Sequence, residues 1–113
     1  MSKRTPKLLL EDMLDSANRI LEYTNNMTFE EFQSDNKTID AVTRNFEIIG
    51  EASNILPEEI KEKYSEVEWY RIRGFRNRIV HDYFGIDLQI IWKITFDQIP
   101  TLISDITRIL DDL

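Results

Sequence analysis

An all-α fold, a single-domain helical bundle over residues 1–113, follows from three observations. Apolar residues recur three and four apart along almost the whole chain, no stretch reads as a strand, and only three glycines and three prolines occur. With 42% apolar residues in 113, the chain supports one modest core and has no room for a second. The pattern predicts five to six helices, the last of them long and kinked near Pro100.

Thr5 followed by Pro6 is a cap with proline in the first helical turn, and Leu9, Met13, Ala17, Ile20, Leu21 and Thr24 trace one face of a first helix ending near Asn25 or Asn26. Thr28 with Glu31 forms a capping box for a short second helix. Asp35 or Asn36 caps a third that runs to about Ile55. Ile39, Val42, Phe46, Ile49 and Ser53 line one face of it, while Ala41, Ile48, Ala52 and Ile55 line nearly the opposite one, which predicts burial on two sides. Its polar strip is Arg44, Glu47 and Glu51. Pro57 with Glu58 and Glu59 opens a short fourth helix, and Ser65 with Glu68 reads as the capping box of a fifth that stops near Gly85. Asp87 caps the last segment, whose apolar face stays in helical phase across Pro100 from Leu88 to Leu113, either as one kinked helix or as two stacked pieces.

Composition removes several functional classes. The absence of cysteine excludes thiol catalysis, disulfide scaffolds and zinc ribbons, and a single histidine leaves too few nitrogen ligands for the usual catalytic zinc sites. No metal or cofactor is expected, with magnesium held by carboxylates the one alternative that these counts leave open. The longest apolar runs span three residues and no signal-peptide stretch follows the N-terminus, so the expected location is the cytoplasm, without a membrane. The formal charge is -7, from 14 basic and 21 acidic residues. Its distribution is uneven: the stretch from Trp69 to His81 holds Arg71, Arg73, Arg76 and Arg78 and no acid, so it carries +4 and the rest of the chain -11. A polyanion would be met there.

The fifth helix conflicts with ordinary packing. At about 100° per residue, Trp69, Ile72, Phe75, Ile79, Val80 and Tyr83 share a broad face with Arg76 in its middle. A buried guanidinium needs a partner, and Glu51 or Glu47 of the third helix is the first choice; a structural Arg–Glu pair explains the arginine equally well. A second stripe holds Tyr70, Gly74, Asn77 and His81, with Arg73 on its edge. Gly74 costs a helix interior about 1 kcal/mol against alanine, which suggests close approach of another backbone or a ligand. Asn77 and His81 can act on one bound group, or His81 can be a satisfied histidine at a helix interface. Positions 76 and 81 lie about 140° apart on a regular helix. Either the long arginine wraps round, or the helix distorts near Gly74, or a second copy of the helix completes the site across a two-fold axis.

The run Arg76-Asn77-Arg78-Ile79-Val80-His81-Asp82-Tyr83 closely resembles the motif of the HEPN superfamily, an arginine, four residues, a histidine, one residue and a tyrosine. More narrowly, Ile48-Ile49-Gly50-Glu51-Ala52, Leu56-Pro57-Glu58-Glu59-Ile60, Trp69 and Gly74-Phe75 leading into the motif, then Tyr83-Phe84-Gly85-Ile86-Asp87, resemble in order and spacing the HepT-like toxins that pair with MntA-type minimal nucleotidyltransferase antitoxins. The resemblance covers essentially the whole chain; Ser65 departs from it, where proline often precedes this helix. It implies a helical bundle that forms a homodimer with two motifs lining one cleft, and a metal-independent endoribonuclease. His81 would then be general base or acid, Arg76 would stabilise phosphoryl charge, and Asn77 would orient phosphate or imidazole. Arg73 and Arg78 would bind RNA phosphates, and Tyr83 would be the residue to which the partner nucleotidyltransferase attaches AMP. Arg71, projecting with Asp82 toward solvent, is the arginine with the least to do. Two other classes stay open: a non-catalytic HEPN module that binds nucleotide or substrate for a nucleotidyltransferase, and a plain helical scaffold.

Overall fold

The structure, a computed structural model, describes residues 4–81 and 87–113, with side chains through residue 75 and again from residue 87. Each predicted cap in the first third of the chain forms. Thr5 accepts the Leu8 N–H at 3.2 Å and starts α1 (Pro6–Thr24), which closes at Asn25 before Asn26 turns left-handed at φ 61°. Thr28 and Glu31 exchange both bonds of the capping box, at 3.1 and 2.9 Å, to open α2 (Phe29–Gln33). Asp35 accepts from the Thr38 N–H and hydroxyl at the start of α3 (Asn36–Ile55), and these bonds hold its carboxyl below the usual aspartate range. Pro57 precedes α4 (Glu58–Lys63).

The fifth helix departs from expectation at its start. Ser65 makes no capping box; Tyr64 to Glu66 form a turn, and α5 (Trp69–His81) begins with the Glu68 carbonyl accepting from Arg71 at 3.0 Å. The reason is the indole of Trp69, buried and donating to the Tyr64 carbonyl at 3.0 Å, which folds the chain back over residues 64–68. The expected end near Gly85 lies outside the described residues. The C-terminal segment is two helices, α6 (Leu88–Asp97) and α7 (Ile99–Asp112), broken at Gln98 rather than kinked at Pro100. Pro100 lacks an N–H and its ring would clash with the carbonyl four residues back, so the helix ends before it and restarts with proline in the first turn. This break raises the number of helical segments among the described residues to seven.

Helices α5, α3, α1 and α7 succeed one another, each packed on the next, with α6 against α7 and α2 bridging α3 to α6. Leu10, Met13, Ile20, Phe32, Phe46, Ile49, Ile99, Ile106 and Ile109 make up the solvent-free centre. Helix α3 is buried mainly on one side: Val42, Phe46, Ile49 and Ser53 are buried and Ile39 half-buried, whereas on the opposite face only Ala52 is buried, Ala41 and Ile48 are half-buried and Ile55, at the helix end, stays 62% exposed. Trp92 of α6 holds α2 through Phe32 and Phe29, with ring centroids 5.1 and 6.0 Å away. Between α5 and the α6–α7 pair runs a groove lined by Arg71, Ile72 and Phe75 on one side and Asp97, Gln98 and Leu102 on the other. No helix among the described residues is long and apolar enough to cross a membrane.

The connection into α5 is clamped to the far end of α7. Arg108 reaches Glu66 at 2.6 Å and Asp105 at 3.2 Å, and the Tyr64 hydroxyl donates to Asp112. The Arg108 hydrogen bond lowers the Glu66 carboxyl, and the Asp112 carboxylate pushes the Tyr64 phenol up.

Two outcomes follow from this packing. Phe46→Ala should destabilise the fold by about 3–5 kcal/mol in urea titration, because it leaves a cavity at the α3–α5 seam, while Ile55→Ala should change it by less than about 0.5 kcal/mol. The clamp predicts a pH dependence of the thermal midpoint. The Glu66 contribution is present above the unfolded glutamate value and is lost as pH falls through its lowered folded one; the Tyr64 contribution is full below the unfolded tyrosine value and is lost above it. Glu66→Gln should flatten the acid limb and Tyr64→Phe the alkaline limb.

Candidate active site

Helix α5 carries the four arginines and is held by its first half. Trp69, Ile72 and Phe75 are buried as expected, and Phe75 meets Phe46 of α3 edge-on with centroids 5.4 Å apart. The opposite flank is open: Tyr70, Arg71 and Arg73 are exposed and Gly74 is half-buried. Arg71 pairs with Glu68 at 2.7 Å, which suits its low expected part in the site. Arg73 makes no ion pair among the described residues, so its charge is available to a ligand.

The backbone at Arg76, Asn77, Arg78 and His81 is helical, and their side chains lie outside the described part, as do residues Ile79 and Val80 of the predicted apolar face and the whole of Tyr83. Helical register alone places positions 70, 74, 77 and 81 along one side of α5. Of the predicted partners for Arg76, Glu47 pairs with Arg44 at 3.6 Å and Glu51 is exposed on α3; the expected pairing itself lies outside the described side chains.

One of the three expected ways of bringing positions 76 and 81 together is removed. The α-helix runs unbroken from Trp69 to His81 and Gly74 has no positive φ, so no distortion at the glycine brings the two positions round. Nor does the fold itself need that glycine: a Cβ at position 74 meets nothing within 4 Å among the described residues.

The tertiary structure adds one cation that the sequence reading did not group with α5. Lys93 of α6, exposed and without an ion pair among the described residues, lines the same groove as Arg71, Gly74 and Phe75. No periodicity could have found it, because the groove joins two different helices and periodicity is local to each. Among the described residues no group of histidine and carboxylate side chains is arranged to hold a metal ion.

The chain is similar to several known proteins. The family model described as "Ribonuclease HepT-like" matches residues 13–109. A Methanocaldococcus jannaschii protein described as "Putative RNase MJ0127" is 41% identical over 113 residues, covering 100% of this chain and 93% of the relative. A Thermococcus cleftensis protein described as "Probable ribonuclease HepT" is 40% identical over 100 residues, 88% of this chain and 91% of that one. No solved structure gives a significant match.

Gly74→Ala provides a test of the empty space at that position. The added methyl should stabilise the isolated chain by about 1 kcal/mol, read as a higher urea midpoint. A drop instead would mean that the fold itself needs the glycine.

Proposed function

We propose, since this chain belongs to the HepT-like ribonuclease family, that it is the endoribonuclease toxin of a toxin–antitoxin pair, working without a metal at a cleft between two copies of α5. The observation that carries this reading is the unbroken course of α5 through Gly74, which leaves positions 76 and 81 about 140° apart. A second copy related by a two-fold axis supplies the missing group, and Gly74 lets the two backbones approach.

RNA carries its own nucleophile, so the reaction needs a base, an acid and a cation. A base takes the proton of the ribose 2'-hydroxyl, O2' attacks phosphorus, the bond from phosphorus to O5' breaks, and an acid returns a proton to O5', leaving a cyclic phosphate and a free 5'-hydroxyl. Each chain has one histidine. Two copies of His81 provide base and acid together, near neutral pH. Arg76 stabilises the charge that grows on the phosphoryl oxygens and Asn77 orients the phosphate or the imidazole. Arg73 and Arg78 bind the flanking phosphates, a contact that supplies affinity without sequence choice. Doubling the +4 of this stretch places +8 around one cleft, which outweighs the acidic remainder within a Debye length of about 8 Å. Glu51 supports the site from α3.

Silencing follows the same electrostatics. A partner nucleotidyltransferase of the MntA type would transfer AMP from ATP to the Tyr83 phenol oxygen, with pyrophosphate leaving. The added phosphate charge beside the arginines then repels RNA. RNA and an ATP-using partner place this activity in the cytoplasm.

The test is the purified chain, with intact mass showing Tyr83 unmodified, incubated with RNA in EDTA. The parent should cut, leaving cyclic phosphate ends, with a bell-shaped pH dependence. His81→Ala should lose about a hundredfold or more, and Arg76→Ala a comparable amount. An unmodified parent that neither cuts RNA nor arrests growth of a host would overturn catalysis in favour of a substrate-binding subunit.

A further inference from the structure

Tyr70 is 64% exposed, although it stands one residue from the buried Trp69. Its hydroxyl donates to Glu68 at 3.1 Å, and Glu68 is itself fixed by Arg71 at 2.7 Å. The ring is thus tethered at its polar end while most of its surface stays in water. Beside it lies a hollow of about 280 Å³ lined by Glu58, Lys61, Glu62, Ser65, Trp69 and Arg73. Lys61 packs its stem against the protein, its side chain 10% exposed, with its ammonium 3.7 Å from Glu58.

The charges of this hollow balance: Lys61 and Arg73 against Glu58 and Glu62. A phosphate entering it would face two carboxylates, so it is poorly made for an anion. A nucleobase is neutral, presents a π-face to an aromatic ring, and carries both donors and acceptors on its edge. Arg73, one turn on from Tyr70 and free of ion pairs among the described residues, is placed for the phosphate that follows such a base. From there the register of α5 leads on: position 81 lies eleven residues beyond Tyr70 on nearly the same side, about 16 Å along the axis. That is several steps of a strand with phosphates roughly 3.4 Å or more apart.

We infer that Tyr70 and the hollow beside it form a stacking subsite for an unpaired base of single-stranded RNA, a few nucleotides from the bond that is cut. This rests on the ribonuclease reading above and adds to it a determinant of substrate form: RNA must be unpaired at this distance from the cleavage point.

The test uses the full chain carrying His81→Ala, so that RNA is bound without being consumed, and a short fluorescein-labelled single-stranded RNA. Adding Tyr70→Ala should weaken binding by about tenfold or more, whereas Tyr70→Phe and Tyr70→Trp should restore it. Ultraviolet crosslinking of the same RNA substituted with 5-bromouridine should label the peptide that contains Tyr70, and a fully duplexed RNA should give no such label. If the His81→Ala chain binds RNA and Tyr70→Ala binds it equally well, the stacking site is wrong and the ribonuclease reading is untouched. If Tyr70→Ala lowers binding only by dissociating the protein in sedimentation, the ring is an interface residue and the stacking site is likewise wrong. If the His81→Ala chain binds no RNA at all, both readings fall.

Discussion

The packing of α5 on α3 is the constraint on which the rest depends. Helix α5 carries +4 in thirteen residues, and among its described side chains Trp69, Ile72 and Phe75 are the ones buried against the bundle. These three bury the first half of the helix, with Phe75 edge-on to Phe46. Removing such aromatic area from water stabilises by a few kcal/mol per side chain, enough to hold a helix whose other flank is charged. Arg71 and Arg73 are thereby presented at the surface by a helix that is itself fixed.

The clamp at the start of α5 serves the same end. Trp69 takes the Tyr64 carbonyl, Tyr64 takes Asp112, and Arg108 takes Glu66, so the connection between α4 and α5 is tied to the last turns of α7. The first of these bonds is buried, the second part-buried and the third exposed, and the exposed ion pair is worth little alone. Their value is geometric, because they share one turn and set where the helix begins. A rigid N-terminal half and a charged flank are what a site needs when its chemistry lies further along the same helix.

The groove beside α5 and the empty space at Gly74 bear on association. A chain with a net charge of -7 that concentrates its positive charge on one helix will meet polyanions along that helix and repel them elsewhere. Two such helices side by side raise the local charge at the cost of mutual repulsion, and a bound phosphate backbone relieves that repulsion. In the proposed dimer, close approach at the glycine would shorten the distance over which the two copies cooperate.

Local signals in the chain fix the helical class, the caps of the first three helices and the presence of the motif. Thr5, Thr28 with Glu31, and Asp35 are local signals whose bonds are made within three residues, and they form as read. The positions of Arg76, Asn77 and His81 on one helix were legible for the same reason, since helical register is local. Ser65 failed as a cap because a buried indole several residues along took a carbonyl in the turn before it, a tertiary demand that outweighs a capping preference of about 1 kcal/mol. The exposure of Ile55 and the placing of Lys93 beside Gly74 were likewise decided by which helices meet. Periodicity says which face of a helix is apolar; only the packed bundle says how much of that face finds a partner, and what is left open for a ligand.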